Sequence, residues 1–156
     1  MQIGGLPLHF LVVHAAVVFT PLAALAALFF AVMPRWRWLL RWPSLALGLV
    51  SLVAVFVAKT SGEEYLEAHE QLEPIVEDHA ELGELLLWVT LAFAVVLLAS
   101  AFVLSSRTPL PSGRGARDGA MPALEVPLAV LLVVAAVAVI VVVVLTGDAG
   151  ARAVWG

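Results

Sequence analysis

The chain has 156 residues, 63% hydrophobic and 13% charged, with a mean hydropathy of +1.06 and a formal net charge of −4. Soluble domains are about half apolar and about a quarter charged, so this composition excludes an ordinary soluble globule and points to a membrane protein. The absence of cysteine excludes, within these residues, disulfides, Cys-ligated zinc, iron–sulfur clusters and covalent c-type haem, and the acidic balance gives no footing to a nucleic-acid partner.

Four uncharged runs, 6–33, 42–58, 85–104 and 126–145, are each near the length of about 20 residues that a helix needs to cross a bilayer. None alternates in polarity, so strands of a barrel are not expected. The sequence predicts an all-α bundle of four transmembrane helices over residues 6–33, 39–60, 82–105 and 124–146, forming one membrane domain over 1–156. "MQIGG" has no basic n-region and the first run is about twice a signal-peptide core, so it is expected to stay as the first membrane helix.

That first helix carries His9 and His14 in "LPLHFLVVHAAVVF". Five residues separate them, so at about 100° per residue they diverge by about 140°, and one helix cannot aim both at one metal. Ionisable groups at membrane depth face a bundle interior by default, which makes His14, about 7–8 Å deeper than His9, the stronger candidate. His9 is expected at the outer edge. Pro21 is expected to bend the helix, and Ala23, Ala27 and Ala31 form a small-residue row for packing.

The loop at 34–41 holds Arg35, Arg37 and Arg41, and the loop at 106–121 holds Arg107, Arg114 and Arg117. Six of the eight basic residues therefore lie on one side, which the positive-inside rule assigns to the cytoplasm of a bacterial plasma-membrane protein. Trp36, Trp38 and Trp42 read as interfacial anchors, and the Pro-, Gly- and Ser-rich second loop as a flexible linker. Both termini and the connection at 61–81 then lie outside.

That outer connection and its flanks hold nine of the twelve acidic residues. Ser61 and Glu64 fit a capping box, and apolar residues at three- and four-residue steps predict an amphipathic helix with His69 and His79 on its apolar side. Pro74 should bend it or start a second segment. Its acidic face, with Glu63 and Glu64, reads as a solvated surface or as a docking face for a basic partner.

The two halves resemble each other. His14-Ala15 and the end at Thr60-Ser61-Gly62-Glu63 match His79-Ala80 and the end at Thr146-Gly147-Asp148. A parallel repeat about the membrane normal would make His14 and His79 symmetry mates. Gly83 stands one turn below His79, and Asp78 or Glu84 could orient its second ring nitrogen. Two such imidazoles can ligate a b-type haem or, with carboxylates, copper or zinc. No nucleophile triad, phosphate loop or HExxH motif is present, so the chain alone has no enzymatic signature. Helix four has almost no polar residue, which counts against a pore.

"GLPLH" with "VVH", "MPRWR", "TSGE", "DHAELGE" and "TGDAGARAVW" together resemble the actinobacterial branch of the domain-of-unknown-function family 2231, over nearly the whole chain. The resemblance implies a small four-helix integral membrane protein. Related domains fused to c-type cytochrome or Rieske domains imply a redox setting, with a redox protein or membrane-complex subunit as partner. Carried onto this chain, the motif positions are His9, His14, Gly62, His79, Gly83 and Gly147. Phe10 stands where the family has proline, and Asp148 where it often has histidine, which removes one imidazole and leaves Asp148 to pair with Arg152. Two functions follow as expectations: a haem- or metal-binding redox domain built on His14 and His79, or a non-catalytic membrane scaffold docking through its acidic end. Proton or small-solute transport is the third.

Overall fold

In the computed structural model, which describes residues 2–3 and 6–155, the chain is four long helices. They are α1 (Leu8–Val32), α2 (Arg37–Glu67), α3 (Glu73–Val103) and α4 (Pro122–Trp155), all long and apolar enough to cross a membrane. Met1, Gly4, Gly5 and Gly156, which belong to the expected 1–156 span, lie outside the described residues. Ahead of α1, Gln2–Ile3 pairs antiparallel with Leu6–Pro7, so the first helix starts at Leu8 instead of residue 6. The helices run up-down-up-down, with α1 and α3 each packed between α2 and α4.

The acidic connection differs from the expected separate amphipathic helix. "TSGEEYLE" continues α2 to Glu67, a single 3-10 turn covers Glu70–Leu72, and α3 opens at Glu73 with Pro74 in its first turn. Proline is well placed there, because the N–H it lacks would be unpaired in any case. Ser61 lies inside α2 and does not cap a helix start: its hydroxyl donates to Val57 O at 2.6 Å. Pro21 lies within a continuous α1.

The core is a repeat. The buried positions of α1 are Ala16, Thr20, Ala23, Ala24, Ala27, Phe30 and Ala31, and those of α3 are Leu86, Thr90, Phe93, Ala94, Leu97, Ser100 and Ala101. One fixed numerical offset carries the first set onto the second without exception. A second fixed offset carries Ser44, Gly48, Ser51, Ala54, Val55 and Ala58 of α2 onto Leu132, Ala136, Val139, Val142, Val143 and Thr146, the buried set of α4. The two hairpins are thus related by a pseudo-twofold axis running along the bundle.

Alanine and hydroxylic side chains pack inside around Phe30, Phe93, Leu97 and Leu132, while Val18, Leu22, Leu25 and Phe29 of α1 point outward. Lipid gives no hydrophobic drive for helices to associate, so close packing and interhelical hydrogen bonds must hold the bundle. A Cβ on Gly48 would stand 2.7 Å from Leu97 Cδ2, so glycine here lets α2 approach α3. Thr20 and Ser51, both fully buried, share a 2.7 Å hydrogen bond between α1 and α2.

At the arginine-rich end, Arg37 and Arg41 turn inward rather than marking the interface. Arg37 donates to Phe30 O and Ala31 O, carbonyls that the end of α1 leaves without helical partners, and to Ser105 O just beyond α3. Arg117 does the same for α3 through Ala101 O and Phe102 O. The connection expected as a flexible linker is likewise tied down: Ser106 and Arg117 pair backbone to backbone, and the Ser106 hydroxyl donates to Gly115 O at 2.8 Å.

Candidate functional site

The acidic end of the bundle brings together one imidazole from each half. His9, in the first turn of α1, donates its Nδ1–H to Ala58 O of α2 at 2.8 Å. His79, in the second turn of α3, donates its Nδ1–H to Thr146 O of α4 at 2.9 Å. The offset that superposes α1 on α3 carries His9 onto His79, and the offset that superposes α2 on α4 carries Ala58 onto Thr146. The two hydrogen bonds are the same bond made twice.

Glycine makes each approach possible. A Cβ on Gly62, one turn beyond Ala58, would sit 3.0 Å from Cε1 and Nδ1 of His9; a Cβ on Gly150, one turn beyond Thr146, would sit 3.0 Å from the same atoms of His79. The Thr146 hydroxyl donates to Val142 O of its own helix at 2.8 Å and lies 3.2 Å from Leu82 O of α3.

The half-buried rings of His9 and His79 meet edge to face, with 6.2 Å between centres and 80° between planes. Because a carbonyl oxygen can only accept, each Nδ1 must carry the proton, and the tautomer is assigned on that ground. In the neutral ring Nε2 is then a bare lone pair, the state in which imidazole binds metals or accepts a proton. An aromatic chain continues from His9 through Phe10 and Tyr65 to His69, whose ring stacks on Tyr65 at 4.3 Å.

His14, expected as the deep partner of His79, is not part of this pair. Its side chain is exposed, and its Nδ1 bonds Phe10 O, one turn back in its own helix, at 2.7 Å. The angular divergence of the two histidines is real but reversed in outcome: the packed face of α1 runs through Ala16, Thr20 and Ala23, and His9 lies on its side. The symmetry mate of His79 is therefore His9. His69 bonds Tyr65 O, one turn back.

The other expected positions divide in the same way. Gly62 is in the site, whereas Gly83 and Gly147 face open space, with nothing within 4 Å of a Cβ. Glu63 pairs with Lys59 at 2.7 Å, and Asp148 pairs with Arg152 as expected. Glu64, Asp78 and Glu84 are exposed, and the orienting partner of His79 is the Thr146 carbonyl instead of a carboxylate. Among the described residues no three His, Cys, Asp or Glu side chains converge as a metal cluster. Sequence reasoning missed Ala58, Thr146 and Gly150; aligning Thr20 with Thr90, instead of one His-Ala pair with the other, would have found the register.

A family model described as "Predicted membrane protein (DUF2231)" matches residues 5–156. No curated protein and no solved structure matches the chain.

Proposed function

The chain belongs to this family of predicted membrane proteins, and from that premise we propose that it is a membrane-embedded redox domain in which His9 and His79 hold one transition-metal ion, as haem iron or as copper. The observation that supports this reading is the duplicated imidazole pair, 6.2 Å between ring centres, with both Nδ1 atoms committed to backbone carbonyls. The rings are close enough for one ion to reach both once each turns its Nε2 edge toward it from their edge-to-face contact. Imidazole suits iron and copper. A centre needing three or four protein ligands is disfavoured, because no third ligand converges among the described residues.

When bound, such an ion supplies one-electron chemistry. The chain's own part is to hold two neutral imidazoles, fix their tautomers and orient them from facing hairpins. The test is absorbance and metal content of the full-length protein purified from haem- and copper-supplemented cells. A Soret band or stoichiometric copper that is lost in His9→Ala and His79→Ala, and kept in His14→Ala and His69→Ala, supports the reading. Folded protein with neither signal overturns it.

A second reading is docking of a basic redox protein or complex subunit. It is favoured by the exposure of Glu63, Glu64, Glu67, Glu73, Glu77 and Glu81 at the same end of the bundle. In both readings the arginine end faces the cytoplasm of a bacterial plasma membrane and the histidine end faces out. Salt-sensitive capture of a basic partner that survives His9→Ala would favour docking.

A further inference from the structure

We propose that the arginine-rich end carries a binding site for an anionic phospholipid, in the groove between the last turn of α1 and the first turns of α4. The groove has a volume of about 460 Å³, within the range of about 300–1,000 Å³ of small-molecule sites. One wall is a single stripe of α4, Val126, Val130, Val133 and Val134, and Ala31 and Val32 of α1 face it. The eight steps from Val126 to Val134, at about 1.5 Å each, carry this stripe about 12 Å toward the bilayer centre, most of the depth of one leaflet's hydrocarbon. An acyl chain lying along α4 matches that shape and chemistry.

The mouth supplies the charge. Three ionisable residues line it: Arg37, Glu125 and Arg107. Glu125 is already engaged, accepting from Ser105 N–H and the Ser105 hydroxyl and lying 4.0 Å from Arg37. Arg37 is buried, and each of its three nitrogens donates to a backbone carbonyl. Arg107 differs: its backbone N–H is anchored to Pro34 O at 3.1 Å, while its exposed guanidinium has no hydrogen bond or ion pair among the described residues. The lining thus leaves one uncompensated cation, held by its main chain at headgroup level beside an apolar slot. A guanidinium fork recognises phosphate oxygens, and the valine stripe recognises the chain below.

Purified full-length protein in neutral detergent, titrated with dioleoylphosphatidylglycerol or dioleoylphosphatidylcholine, tests this by native mass spectrometry and thermal melting. The anionic lipid should be retained about fivefold more strongly than the zwitterionic one, the effect of one basic group near a lipid surface, and should raise the melting temperature. Arg107→Gln, a surface change, should remove that preference, Arg114→Gln should keep it, and Val130→Trp should weaken retention of both lipids. Glycerol phosphate, the headgroup chemistry without chains, should produce no shift at the same concentrations. Equal retention of the two lipids, a preference unchanged in Arg107→Gln, or a shift by glycerol phosphate equal to that of the lipid overturns the proposal. So does a Val130→Trp variant that changes oligomeric mass and leaves lipid retention intact, which would give the groove to a second copy of the chain.

Discussion

His9 on α1 and His79 on α3 occupy equivalent positions in the two halves of the chain, and their rings meet edge to face across the pseudo-twofold axis. Each ring bonds the far end of its own hairpin and touches its mate in the other. The pair therefore closes both hairpins and joins them at one end. This arrangement needs a glycine under each ring, and Gly62 and Gly150 provide it.

Losing either tether should cost stability even with no metal present. Interhelical hydrogen bonds in membranes contribute about 0.6–2 kcal/mol, so His9→Ala and His79→Ala should each lower unfolding free energy by about 1 kcal/mol. His14→Ala should stay within about 0.5 kcal/mol, since its ring bonds only its own helix. Gly62→Val and Gly150→Val should reproduce the loss by pushing the rings off their carbonyls. Denaturant unfolding in micelles reads all five variants; a His14→Ala loss equal to that of His9→Ala would contradict the assignment.

The four spans were legible because oil-rich runs of about 20 residues have few other fates. Their ends were less so. "TSGEEYLE" reads as a new amphipathic helix, yet it simply extends α2, since no proline lies between Lys59 and Glu67 and the single Gly62 is tolerated inside the helix. The histidine site was half legible: His79 and Gly62 belong to it, but a matching His-Ala dipeptide selected His14 over His9. A dipeptide carries no rotational phase, whereas Thr20 and Thr90, equivalent and fully buried, fix the phase of both helices. Backbone carbonyl partners, Ala58 and Thr146, leave no mark on side-chain identity.

The repeat is imperfect at several buried hydroxyls, and at Thr90 the imperfection is measurable. Thr20 bonds Ser51, but the equivalent partner of Thr90 is Val139, and Thr90 Oγ1 is buried without a protein hydrogen bond. Val139→Ser should restore the bond and stabilise by about 0.5–1 kcal/mol, and Thr90→Val should be neutral or stabilising by removing an unpaired polar atom. Thr20→Val should destabilise by about 1 kcal/mol, because it strands Ser51. If Thr90→Val costs as much as Thr20→Val, the two positions do not differ as their partners do.

Membrane orientation can be read directly, because the chain has no cysteine to remove first. Gln71 within the 3-10 turn and Ser112 in the connection before α4 are both exposed, at opposite ends of the bundle. With the arginine end inside, an impermeant maleimide should label Gln71→Cys in intact cells and Ser112→Cys only after lysis. The reverse pattern would invert the proposed orientation and place the histidine pair in the cytoplasm.

Arg37 should be the most costly residue to replace at the arginine end. It is 5% exposed and donates to Phe30 O at 2.9 Å, Ala31 O at 2.6 Å and Ser105 O at 3.1 Å. Removing the guanidinium strands those carbonyls and leaves Glu125 without its nearest cation. Losses of about 3–5 kcal/mol accompany the breaking of such buried charge networks, so Arg37→Gln should unfold far more easily or fail to accumulate. Arg37→Lys should recover only part of the loss, because a point charge cannot reproduce a planar fork reaching three acceptors. Glu125→Gln should cost no more than about 1 kcal/mol, since its ion pair is long and partly exposed and its amide oxygen can still accept from Ser105. Chemical unfolding of the three variants orders them. An order with Glu125→Gln as damaging as Arg37→Gln would mean that the ion pair, and not the capping of helix-end carbonyls, holds this end of the bundle together.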